Sequence, residues 1–224
     1  EYGLLRFRPG AGIIAEYFAE DPDSIIHNEV NHLLLHADGR IWAATTGGIS
    51  ILEPDRKTIR RYWTDSTQEN ALSDNVVFCI YQDRPGDVWV GTGVGLNRYE
   101  GNGRFTSFFH EDDNTNSLSY DRIYCLLDDP DLTSRALWVG TGGGLNRMVF
   151  NDDGTVRFEH FFRQDGLPND TIFTLASDRS GMIWISTNLG LARMDPKTNT
   201  FKAFNKHDGL QDDEFNFGAG YQSP

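Results

Sequence analysis

An all-β fold, a β-propeller made of four-stranded antiparallel blades, is what three observations in this sequence predict. Glycines at positions 3, 48, 95, 144 and 190 lie 45, 47, 49 and 46 residues apart, and two of them open the same tetrad, Gly-Leu-Asn-Arg at 95–98 and 144–147, with looser copies at the other three. Trp42, Trp89, Trp138 and Trp184 keep step at 47, 49 and 46 residues. Within each period four short strand-like runs alternate with turn residues, and no helical pattern appears. A fixed period of this size marks one supersecondary unit that cannot bury its own faces and stacks on copies of itself.

The second unit shows the elements in order. Residues 75–81, Asn-Val-Val-Phe-Cys-Ile-Tyr, are apolar on both faces and read as an innermost strand covered on both sides. Residues 83–87, Asp-Arg-Pro-Gly-Asp, carry the chemistry of a tight turn. A second strand follows at 88–92, then a glycine-rich reversal at 93–95, and a third strand runs back over 96–99. After the turn Gly-Asn-Gly at 101–103, residues 104–109 alternate as a half-exposed fourth strand, and 110–117 form a polar connection to the next unit. The repeated tryptophan on the second strand is a wedge between blades, because an indole buries about 150–250 Å².

The same register places a partial blade at 1–24, complete blades at about 25–71, 72–117, 118–166 and 167–209, and a second partial blade at 210–224, together one propeller domain or a fragment of one. The chain starts and stops in mid-unit, so it reads as a piece of a longer protein with blades missing. The other arrangement, in which residues 3–18 and 214–217 share a fifth blade, is less favoured. Cys79 and Cys125 fall at equivalent places in consecutive units, too far apart to bridge, and are expected as free, buried thiols.

Composition excludes several classes. The 224 residues carry 33 acidic against 20 basic side chains, a net charge of −13. Such a charge repels phosphate backbones and anionic headgroups, so nucleic acid is not an expected partner. The basic cluster Arg56, Lys57, Arg60 and Arg61 is flanked by Asp55 and Asp65 and reads as a solvated strand face. No apolar run is long enough to insert into a membrane, and the start shows no leader pattern.

The consensus Asp-x-x-Gly-x-Val/Ile-Trp-Val/Ile-Gly/Ser-Thr-x-x-Gly-Leu-Asn/Ala-Arg, followed by Phe-x-x-Phe and Gly-Leu-Pro/Gln-x-Asp, resembles the two-component regulator propeller repeat. The match is specific at 88–98 and 137–147, good at 181–193 and weaker at 39–51; residues 209–218 resemble the last repeat of such arrays. The resemblance implies the periplasmic, extracytoplasmic sensor of a bacterial membrane receptor, with a histidine kinase or GGDEF-type output downstream. The family commonly has seven blades, and four complete units fall short of that.

Motifs for chemistry are sparse. His32 and His36 share a sheet face without a third ligand, and His110, His160 and His207 do not align within the repeat, so no metal is expected. The loop 111–117 is oxygen-rich but lacks the spacing of a calcium loop and reads as a solvated turn. Asp128-Asp129 and Asp212-Asp213 are adjacent pairs whose side chains point to opposite faces, which makes them poor acid and nucleophile pairs for glycoside cleavage. No Ser-His-Asp arrangement emerges, and no cofactor is expected.

What remains is the set at or just before the innermost strands: Asn28, Asn75, Tyr120, Asp121, Arg122, Asn169 and Asp170. They stand where long connections approach the mouth of a propeller and are candidates for ligand binding, against the plainer reading that Asn and Asp there cap turns. The leading expectation is a non-catalytic sensor module that binds a small molecule or oligosaccharide and acts on a downstream signalling domain. An enzyme acting on polysaccharide, a hydrolase or lyase, is the first alternative. A protein-interaction scaffold, homodimerising through outer strands or a propeller face, is the second.

Overall fold

A computed structural model describes residues 3–218 and 220. Residues 1, 2, 219 and 221–224 lie outside the described residues, and with them the outer ends of both partial blades. Eighteen strands and two short 3-10 turns make up the described regular structure. Strands β1 (Leu4–Arg8) and β2 (Gly12–Tyr17) pair alone. Four four-stranded antiparallel sheets follow in chain order: β3 (Val30–Leu35), β4 (Ile41–Thr45), β5 (Gly48–Leu52) and β6 (Ile59–Tyr62); β7 (Val77–Gln82), β8 (Val88–Thr92), β9 (Leu96–Gly101) and β10 (Arg104–Phe108); β11 (Ile123–Asp128), β12 (Ala136–Thr141), β13 (Gly144–Phe150) and β14 (Val156–Phe161); β15 (Ile172–Ser177), β16 (Ile183–Thr187), β17 (Gly190–Asp195) and β18 (Thr200–Phe204). In each, hydrogen bonding joins strands in the order in which the chain makes them, the meander that turn chemistry between every pair of runs dictates.

The chain divides into two compact units, one running to Gly93 with 97–107, the other comprising 94–96 and the chain from Phe108 onward. In the first, β3 and β4 pack on β7. Trp42 is fully buried in a core with Ile49, Ile51, Ile80, Val90 and Phe105, and its ring meets Tyr99 of the next sheet edge-on at 5.0 Å. In the second, β11 and β12 pack on β15, and Trp138 is fully buried among Leu145, Phe161, Ile183 and Met194. Trp42 and Trp138 are therefore wedges between consecutive sheets. At about 25 cal/mol per Å² of apolar surface, each contributes several kcal/mol to the stacking that its own sheet cannot supply alone.

Two local features differ from the sequence reading, bulges in the first strands and two 3-10 turns. Each first strand carries a one-residue register shift, at Val30/His32, Val77/Cys79, Ile123/Cys125 and Ile172/Thr174. The bulged residue turns toward the neighbouring sheet: Asn31 donates to the Val77 carbonyl at 2.9 Å, and the Tyr124 ring meets Phe173 at 5.4 Å. The stretches Arg163–Asp165 and Lys206–Asp208 form 3-10 turns instead of plain loop. Residues 214–217, which a shared fifth blade would make a strand, carry none, and Phe217 rests against Tyr124 at 5.7 Å. Both cysteines are free; Cys79 is buried, its thiol pushed up to about 12 by burial, while Cys125 is only half-buried.

Candidate functional site

Antiparallel order gives each blade two ends. At one end lie the turns between strands one and two and between three and four. At the other lie the hairpin between strands two and three and the connection from strand four to the next first strand, where all seven candidate residues fall.

The turn end is fixed by an aspartate. Asp83 Oδ1 accepts the amides of Gly86 and Asp87, and its Oδ2 accepts Trp89 Nε1–H at 2.9 Å. Asp178 repeats this with Ser180, Met182 and Trp184 Nε1 at 3.0 Å, and these hydrogen bonds, the Ser180 hydroxyl's first, lower its carboxyl to about 2. The other two blades lack the tie. The equivalent of Asp83 is His36, whose backbone makes the same turn, and in the third blade Asp129 is taken by Arg147 at 2.7 Å, so the Nε1 groups of Trp42 and Trp138 have no acceptor. His32 and His36 reach the neighbouring first strand, His32 through the Ile80 amide at 3.4 Å and His36 through Gln82 at 3.0 Å.

The connection end is held by a recurring junction. Asn28 Oδ1 accepts the Ala19 amide at 2.7 Å, Asn75 the Thr64 amide at 2.7 Å, Asp121 the His110 amide at 2.7 Å, Asp170 the Arg163 amide at 2.8 Å, and Asp213 the Lys206 amide at 2.6 Å. Each donor lies two residues beyond a fourth strand; Asn28, Asn75, Asp121 and Asp170 thereby staple the outgoing strand to the start of the next first strand, and Asp213 closes the connection after β18 in the same way. Three of them also use their main-chain oxygen: Asp121, Asp170 and Asp213 accept the amides of Gly95, Gly144 and Gly190, the hairpin glycines. Gly144 has φ +130°, and a Cβ there would stand 2.8 Å from the Phe162 ring, so only glycine lets that aromatic cover the turn.

The staple position is Asn or Asp in all five cases, whereas its neighbours change: His27 and Glu29, Asp74 and Val76, Tyr120 and Arg122, Asn169 and Thr171, Asp212 and Glu214. In the second unit Tyr120, 47% exposed, lies over the diglycine turn, where a Cβ at Gly143 would come within 2.9 Å of its ring. Arg122 is exposed, its Cβ flanks Gly142, and its carbonyl accepts the Gly142 amide at 2.9 Å. Asn169 accepts the Thr171 amide at 2.8 Å. Beside them a cleft of about 740 Å³ is lined by Phe162, Arg163, Gln164, Leu167, Pro168 and Asp170. Tyr120, Arg122, Asn169 and Asp170 thus belong to one loop cluster of the second unit, while Asn28 and Asn75 make their staples in the first. Phe162, Arg163 and Gln164 escaped the sequence reading, because a polar connection gives no sign of which residues face a cleft.

The acidic candidates for other chemistry are engaged. Asp129 is buried against Arg147, Asp212 pairs with Lys206 at 2.8 Å, and Asp213 is a staple. The oxygen-rich loop closes on itself through Ser117, and its Asn116 pins β14 by accepting the Phe158 amide at 2.9 Å. Among the described residues no three His, Cys, Asp or Glu side chains gather as metal ligands, and no helix is long and apolar enough to cross a membrane.

Comparisons with known proteins accord with this architecture. The two component regulator propeller model matches residues 71–93 and 166–189. No protein of curated function matches the chain. Among solved structures, the extracellular domain of the putative hybrid two component system BT3049 from B. thetaiotaomicron is similar at TM-score 0.72 and 22% identity, over 95% of this chain and 27% of that one. PorZ, a surface component of the type-IX secretion system of Porphyromonas gingivalis, is similar at TM-score 0.67 and 16% identity over 95% and 32%. Virginiamycin B lyase from Staphylococcus aureus is similar at TM-score 0.57 and 15% identity over 84% and 57%. The chain spans 27%, 32% and 57% of the lengths of these three, and at such identities the likeness is one of fold. The chain is an all-β protein of β-propeller blades, and two of its segments, 71–93 and 166–189, match the two component regulator propeller model.

Proposed function

We propose that this chain is a non-catalytic, ligand-sensing part of an extracytoplasmic, periplasmic receptor of a bacterial two-component system, binding a small molecule or oligosaccharide at the connection end and acting on a downstream signalling domain. One observation carries the reading: at that end a constant Asn or Asp is consumed by stapling, while the residues on either side vary and, in Tyr120 and Arg122, stand exposed. A rigid scaffold with varied loop side chains is how binding sites are commonly built. The propeller repeats and the fold shared with the extracellular domain of a two-component protein support the same reading.

The alternative of a hydrolase or lyase is weaker on chemical grounds. General acid and base catalysis needs a titratable group within reach of substrate and near its working pKa. The carboxylates of the loop cluster, Asp121 and Asp170, accept backbone amides instead. A thermal-shift screen of small metabolites and of neutral and acidic oligosaccharides tests the proposal. A ligand at a hundredfold excess over its Kd should add about 2.7 kcal/mol. That shift should vanish in Tyr120→Ala, with the ligand recovered unchanged. Turnover of the ligand, or no shift across the screen, would contradict it.

A further inference from the structure

Two connections of the second unit are built alike and differ at one charge. Residues 162–170 and 205–213 both leave a fourth strand, pass through a 3-10 turn ending on a glycine, continue through a leucine and return on a staple aspartate. The residue that donates its amide to the staple is basic in both, Arg163 in one and Lys206 in the other. In the second connection the cation is closed off: Lys206 Nζ pairs with Asp212 Oδ1 at 2.8 Å. In the first, the position of Asp212 is taken by the neutral Asn169.

Arg163 therefore keeps its charge without the counter-ion that its counterpart has. Its guanidinium makes no hydrogen bond or ion pair among the described residues, although the chain carries 33 acidic side chains. Arg147 is committed to Asp129, Arg157 to Glu159, and Arg193 and Lys202 lie over the rings of Trp184 and Phe204; Arg179 is exposed like Arg163, but it stands in the turn at the opposite end of its blade and lines no cleft with Arg163. Arg163 is exposed and lines the cleft of about 740 Å³, a volume within the range of small-ligand sites. The cleft's apolar surface is the half-buried Phe162 ring, with Leu167 and Pro168, and its polar groups are Gln164 and Asp170.

We infer that this cleft selects a carboxylated sugar, the chemistry of a uronic acid residue, with Arg163 as the residue that reads the carboxylate. The inference deepens the sensor reading above and rests on it. A planar guanidinium fork matches a carboxylate with two parallel hydrogen bonds. The electron-rich face of Phe162 accepts the C–H face of a pyranose ring, and Gln164 and the free oxygen of Asp170 meet its hydroxyls. The Asp170 charge on the same cleft opposes a second anionic group, which disfavours densely charged ligands such as sulfated chains.

Calorimetric titration of the purified chain with trimers of galacturonate, glucuronate and guluronate, and with their methyl esters, tests this. At least one acid should bind at least tenfold more tightly than its ester. That preference should be lost in Arg163→Ala and also in Asn169→Asp, which installs the counter-ion seen at Lys206, with melting temperatures close to the parent's. Esters binding as tightly as acids, or a preference that survives Asn169→Asp, would overturn the inference and leave the sensor reading standing. Binding of none of the trimers would also overturn it, and the broader ligand screen then decides the sensor reading separately.

Discussion

The two ends of each blade solve the same problem of closing a strand reversal, and they solve it differently. At the turn end of the blades of β7–β10 and β15–β18 one aspartate satisfies two backbone amides and also holds the second-strand tryptophan by its Nε1–H. In those two blades the aspartate is fully committed to the turn and the indole. At the connection end a single Asn or Asp holds the junction and its neighbours are released from any common structural duty. The end that is over-determined carries the stability, and the end that is held at one point carries the variation. That is the division of labour expected of a scaffold that presents loops.

The largest effect should come from breaking the turn end. Asp83→Ala removes the acceptor of two amides and leaves the fully buried Trp89 indole without its Asp83 acceptor, so unfolding free energy should fall by about 2–3 kcal/mol in denaturant titration. A smaller and reversible loss should follow acidification. The Asp178 carboxyl is held at about 2 in the folded chain, below the unfolded value of about 3.9, so its contribution is fully present above pH 4 and fades as pH falls through 2. The Trp184 indole N–H resonance should shift over that window in the parent and stay flat in Asp178→Ala.

The blade of β3–β6 offers the reverse experiment. The backbone turn at His36 matches that at Asp83, with the amide of residue 36 bonded to the carbonyl of residue 40 at 2.9 Å as residue 83 is to 87 at 3.0 Å. Trp42 Nε1 is buried there with no acceptor. His36→Asp should supply one and raise stability by up to about 1 kcal/mol, less whatever is lost with the His36–Gln82 contact. A destabilised variant would show that the turn cannot deliver the carboxylate to the indole.

The architecture was legible in the sequence because two independent markers, the hairpin glycine and the second-strand tryptophan, repeat with one period and turn residues separate the runs. Their reasons were less so. The Asn of the tetrad is a buried bracket: Asn97 accepts the Ser73 amide at 3.1 Å and donates to its hydroxyl at 2.8 Å, and Asn146 treats Ser119 alike. The bulges at Asn31, Phe78, Tyr124 and Phe173 carry an amide in one blade and an aromatic ring in the other three, so no single residue type marks the position. At the candidate site the sequence located the loops but could not separate staple from flanker, because the adjacent Asn169 and Asp170 are both short side-chain acceptors and differ in whose amide they accept, that of Thr171 or that of Arg163. Arg163 was the least legible, because its meaning lies in a carboxylate missing from position 169.

Paired substitutions one residue apart test the division directly. Asp121→Ala should lose about 1–2 kcal/mol, the cost of a junction amide at His110 left without its acceptor, whereas Tyr120→Ala should stay within about 0.5 kcal/mol of the parent. Equilibrium denaturation of the two variants side by side is the measurement. A large loss for Asp121→Ala beside a near-neutral Tyr120→Ala is the predicted result; a neutral Asp121→Ala, or a Tyr120→Ala that costs as much, would contradict the separation of staple from binding surface.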